Sequence, residues 1–132
     1  MQGLNWLAIV VAALSSFLVG GVWYSPLLFH AAWLRETGLT DERLRKSNMG
    51  LIFGLSFLLA LVATVVFAFF LGPRPTFAFA TGAGVAAGVG WIATSFGINY
   101  LFERKSFTLF AINAGYHVVQ FTLMGVILGT WS

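Results

Sequence analysis

Cysteine is absent from these 132 residues, which excludes disulfides, thiol catalysis and thiolate metal ligation. Charge is nearly absent as well. Seven Lys and Arg and four Asp and Glu make up 8% of the chain, against roughly a quarter in soluble domains. These few charges are confined to Arg35–Lys46, Arg74 and Glu103–Lys105. The intervals 1–34, 47–73, 75–102 and 106–132 carry none, and each exceeds the ~20 residues with which a helix spans a bilayer. A soluble domain of this size cannot segregate charge in this way, because its helices need a polar outer face.

Other absences narrow the function. The net charge of +3 is dispersed over loops and forms no basic patch, so nucleic acid is not an expected partner. His30 and His117 are the only histidines and no carboxylate lies inside an apolar interval, so no metal, haem or other cofactor is expected. Without an embedded acid to orient His117, a hydrolytic triad has no basis, and no catalytic residue and no enzyme activity are expected. Proton-coupled export through a central carboxylate, as in the small multidrug resistance family, is excluded on the same ground. The opening lacks a basic n-region, so no cleaved signal peptide is expected.

What is present is apolar and rich in glycine and aromatics, with a mean hydropathy of +0.91. The predicted fold class is all-α: a polytopic membrane protein in one domain, residues 1–132, with four transmembrane helices. The spans run over about 5–25, 49–71, 77–102 and 107–131, with a loop over about 35–48. In the first, Ala8, Ala12, Ser16 and Gly20 form a stripe of small residues that lets another helix approach. Pro26 should kink or end this helix. Ser25 and Pro26 read as the cap and first residue of a new segment reaching Gly38, either a short interfacial helix or a kinked continuation. Thr40 before Asp41 and Glu42 predicts a short helix over 41–46. Gly72-Pro73-Arg74-Pro75 is a tight turn. In the glycine-rich third span, Gly84, Gly88, Trp91, Ser95 and Asn99 share one face at helical spacing.

Six of the seven basic residues fall in the first and third loops, and only Arg74 lies at the opposite end. By the positive-inside rule the first and third loops are cytoplasmic and both termini lie outside. The expected location is a bacterial cytoplasmic (inner) membrane, crossed several times, with the lipid bilayer as the first partner and a homo-oligomer as the expected assembly.

The fourth span holds the polar groups. Asn113, His117 and Gln120 fall within about 60° of one another on a helical wheel, with Tyr116 beside them. Lipid offers these side chains no hydrogen bonds, so they must face protein, water or a ligand. Together with Trp23 and Tyr24 at the kink, and Asn99, they are the expected polar path or ligand contact. Uncharged polar groups also serve as interhelical glue, and the spacing alone does not separate the two roles.

Several blocks carry a family resemblance: Asn5-Trp6-Leu7, then Gly21-Val22-Trp23-Tyr24-Ser25-Pro26-Leu27-Leu28-Phe29 with Trp33, and Asn113-Ala114-Gly115-Tyr116-His117 with Gln120 and Met124-Gly125. With these the chain resembles the bacterial membrane family named domain of unknown function 1761. His30 stands where that family usually has glycine. The resemblance implies a four-helix membrane protein and no known activity. Two functions therefore stand side by side. One is an oligomeric transporter or channel-like protein for an unspecified small molecule or ion. The other is a non-transporting structural or interaction module.

Overall fold

A computed structural model of the chain describes residues 4–131. Helix α1 spans Trp6–Trp23, α2 His30–Thr37, α3 Asp41–Lys46 and α4 Met49–Leu71. The next long helix, Phe77–Glu103, consists of α5 (Phe77–Ala87), a wide π turn (Gly88–Ala93) and α6 (Thr94–Glu103). Helix α7 spans Phe107–Thr130. The fold is all-helical, and four helices are long and apolar enough to cross a membrane: α1, α4, α5–α6 and α7.

The helix ends follow from local chemistry. Asn5, Thr40, Asn48, Thr76 and Ser106 each cap the helix that follows, their side chains accepting from a backbone N–H three residues on. Asn5 does more, because its Nδ2 donates to the Trp131 carbonyl at 3.0 Å and ties the two ends of the bundle's chain together. Gly38 closes α2 at φ 78°, a left-handed conformation that glycine adopts without strain.

The segment after α1 differs from the sequence expectation. Pro26 does end α1, but Ser25 does not cap a helix starting there. Its hydroxyl donates to the Val22 carbonyl at 2.7 Å, and the backbone N–H groups of Phe29 and His30 return to Trp23 and Ser25. The chain therefore folds into a turn, and α2 begins at His30 as a separate short helix. Phe29 packs on Trp23 and the edge of Trp33 meets Tyr24, so the turn is held against α1 by aromatic contacts.

The bundle has two unlike halves. Near the termini, Ile9, Ala12, Phe67, Ala68, Leu71, Ala80, Ala87, Met124 and Leu128 form a closed apolar core drawn from all four long helices. Its tightest seam joins α5 to α7. A methyl at Gly84 would run into the Phe121 carbonyl, and one at Gly125 into the Ala80 carbonyl. At Gly88 it would lie 2.8 Å from Val118 Cα. Glycine is required on both sides of this crossing because backbone meets backbone. Toward the other end, α4 leans away from α5–α6 and keeps its hold on α1, where Phe17 stacks on Phe57 at 5.5 Å.

The π turn changes which residues face α7. One additional residue in the turn advances the helical phase by one position. Beyond it, Phe96 and Tyr100 occupy the face that Ser95 and Asn99 would hold on a regular α-helix. The single face expected for Gly84, Gly88, Trp91, Ser95 and Asn99 is thus split. Gly84 and Gly88 are buried on α7, whereas Trp91 is 64% exposed and Asn99 is exposed.

The seam supplies a paired test. Gly84→Leu should lower thermal stability in detergent by the equivalent of about 1–3 kcal/mol through overpacking. Gly82→Leu, where an added methyl meets nothing within 4 Å, should leave it unchanged. Equal effects at the two positions would show that α5 does not meet α7 on the Gly84 face.

Candidate functional site

The polar residues of α7 meet partners on both neighbouring helices. Asn113 is a bridge. Tyr24 Oη donates to Asn113 Oδ1 at 2.6 Å, and Asn113 Nδ2 donates to Tyr100 Oη at 2.7 Å. One amide thereby links α1, α7 and α6. Beside it, Trp23 Nε1 donates to the Ile112 carbonyl at 2.8 Å, with its ring against Gly115. The bond anchors the end of α1 on α7.

One turn and two turns further along α7 lies a second network. Tyr116 Oη donates to the Ser16 carbonyl at 3.0 Å, and its ring rests on Gly20. Gln120 Nε2 lies 3.2 Å from Ser16 Oγ, and Gln120 Oε1 lies 2.6 Å from His117 Nδ1. Ser16 Oγ is in turn 3.5 Å from the Ala12 carbonyl. The small-residue stripe of α1 makes this possible: with Ala8, Ala12 and Ser16 buried, nothing bulky separates the two backbones. The His117 ring stacks on Phe96 at 5.2 Å, a contact that the phase advance of the π turn creates.

These groups border a cleft of about 530 Å³ in the half of the bundle where α4 leans away. One wall is polar: Ser16, Tyr24, Tyr116, His117 and Gln120, from α1 and α7. The facing wall is apolar except for Ser56, with Leu59, Ala60 and Ala63 from α4 and Ile92 and Phe96 from the other side. No charged residue lines it. His117 Nε2 has no hydrogen-bond partner among the described residues, so a free ring nitrogen is left beside this space.

Of the residues expected from sequence, Tyr24, Tyr116, His117 and Gln120 line the cleft, and Asn113 and Trp23 support it from behind. Tyr116 is central, bonded across to α1, where the helical wheel placed it beside the stripe. Asn99 departs from the expectation: the π turn puts it on an exposed face, away from the cleft. Sequence reasoning missed Ser16, Phe96 and Tyr100. Ser16 was visible only as a member of a packing stripe. Phe96 and Tyr100 fall into phase only when one residue is added at the glycine pair Gly88 and Gly90. Among the described residues no group of three or more His, Asp or Glu side chains converges as a metal site would require.

Comparison with known proteins assigns no chemistry to these residues. The model of a family described as "Protein of unknown function (DUF1761)" matches residues 7–129. No curated protein and no solved structure matches the chain.

The Asn113 bridge predicts a graded response. Tyr24→Phe and Tyr100→Phe remove one bond each and should cost roughly 0.6 kcal/mol apiece. Asn113→Leu removes both and leaves two hydroxyls unpaired, so it should cost more than either. Unfolding midpoints in a mixed detergent series check this order. A midpoint for Asn113→Leu equal to that of the parent chain would contradict the bridge.

Proposed function

The chain belongs to the DUF1761 family of proteins of unknown function, and we propose that it is a small membrane carrier whose solute occupies the cleft between the long helices. The observation that carries this is His117. Its Nδ1 is engaged by Gln120 and its ring is held by Phe96, while Nε2 stays free beside about 530 Å³ of space. A histidine serving only as glue would be expected to use its ring in holding helices together. Here the bond of Nδ1 lies within α7, and the ring joins no two helices by hydrogen bonding. Polar groups embedded in a membrane are costly, and a pre-set ring with one nitrogen open is arranged to meet something that enters.

The six basic residues of the α2–α4 region and the α6–α7 loop lie at one end of the bundle, and Arg74 lies at the other. In a bacterial inner membrane the positive-inside rule orients the basic end to the cytoplasm and both termini outward. The cleft then opens in the cytoplasmic half, and the closed core near the termini is the barrier on the outer side.

A second function has one observation in its favour. The Tyr24–Asn113–Tyr100 bridge spends both ends of its amide within the protein, as interhelical glue does. A non-transporting structural or interaction module would need nothing more.

Cysteine accessibility separates the two, since the parent chain has no thiol to confuse it. Thiols react as thiolates, which form in water and not in hydrocarbon. Ser56→Cys and Ala60→Cys, which line the cleft, should react with a small polar thiol reagent in membranes. Val62→Cys, exposed on α4 but away from the cleft, should not. Three silent positions would mean that the cleft is closed to water and would favour the structural module.

A further inference from the structure

The direction of the short hydrogen bond in the His117 network follows from the Gln120 amide. Its Nε2 donates to Ser16 Oγ at 3.2 Å, which turns Oε1 toward His117 Nδ1 at 2.6 Å. An amide oxygen only accepts. The proton of the imidazole therefore sits on Nδ1, and Nε2 of the neutral ring is a lone-pair acceptor. Tyr116 follows the same logic, because its proton goes to the Ser16 carbonyl and only its oxygen lone pairs remain.

The polar wall of the cleft thus offers more acceptors than donors, the second N–H of Gln120 being its one spare proton. His117 Nε2 and the Tyr116 oxygen have lone pairs to offer and no proton to give. The cleft holds no fixed charge, and Phe17, Phe96 and Phe121 add aromatic faces to its lining. The opposite wall is aliphatic apart from the Ser56 hydroxyl, with Leu59, Ala60, Ala63 and Ile92.

From this we infer that the solute is an amphipath whose polar head is a hydrogen-bond donor, an N–H or O–H on an apolar body, and that carboxylates are rejected. The inference rests on the carrier function proposed above and specifies its substrate class. A donor head satisfies Nε2, and the body displaces water from the aliphatic wall. A carboxylate has no cation to pair with and finds only the Ser56 hydroxyl and one Gln120 N–H to accept from, so most of its desolvation is uncompensated. The ammonium and alcohol forms of such a head share the donor chemistry.

The test is a titration of the wild-type chain in lipid nanodiscs with its histidines labelled with nitrogen-15, the His30→Gln variant serving only to assign the two rings. Three probes share one tail, decylammonium, decanol and decanoate, at a pH where the carboxyl stays ionised in the bilayer and the amine stays protonated. In the unliganded protein the His117 ring should appear neutral with the proton on Nδ1. Decylammonium and decanol should each shift the Nε2 resonance upfield with saturation, and decanoate should give no saturating shift. Saturation by the ammonium alone would make charge, not donation, the determinant and would overturn the inference. A ring protonated on Nε2 would overturn it as well. Saturation by decanoate would overturn the donor rule and leave a solute-binding cleft in place. Saturation by no probe would overturn the inference, and the cysteine accessibility at Ser56 and Ala60 would then decide the carrier function independently.

Discussion

Hydrocarbon accepts no hydrogen bond and donates none, and this constraint organises the protein. Helix α7 carries an asparagine, a histidine and a glutamine along one stripe, and each would be costly against acyl chains. The remaining helices are arranged so that this stripe faces inward. Helix α1 offers small residues, so that Ser16 and Gly20 let the Gln120 amide and the Tyr116 ring reach across. Helix α6 turns Tyr100 and Phe96 toward the same place. Every polar side chain of the stripe obtains a partner, and His117 Nε2 is left beside the cleft.

The glycine seam and the cleft are two consequences of one packing choice. Between α5 and α7, Gly84, Gly88 and Gly125 allow contact at backbone distance. That close approach uses dispersion and shape, the terms that remain when water is absent from helix association. Helix α4 has no comparable face toward α5–α6 at the other end, where Gly54 meets nothing within 4 Å. The bundle is therefore locked at the terminal end and parted at the basic end. A π turn sits where the two regimes meet, with glycines at 88 and 90 that lower the cost of a non-α backbone.

Much of this was legible in the chain. The spans could be bounded because charges, Gly72-Pro73 and capping residues such as Thr40 and Asn48 mark helix ends chemically. The inward stripe of α7 could be read because three polar residues at helical spacing have one solution in lipid. The partners were harder. Helical spacing assumes a constant phase, and one additional residue at Gly88–Ala93 replaces Ser95 and Asn99 with Phe96 and Tyr100. No local signal says that the phase will advance there; glycines only permit it. Ser25 and Pro26 misled for a related reason. A cap-like pair is equally at home in a turn, and here aromatic contacts across the turn, Phe29 on Trp23 and Trp33 on Tyr24, accompany the turn form. The cleft itself depends on how α4 leans, which no stretch of sequence encodes alone.

In the proposed carrier His117 faces a hydrated cleft and not the lipid. Solid-state nuclear magnetic resonance in deuterated lipid tests it directly, by polarisation transfer to the labelled His117 ring from water and, separately, from protonated acyl chains. The account predicts transfer from water. Transfer from acyl chains with none from water would contradict it.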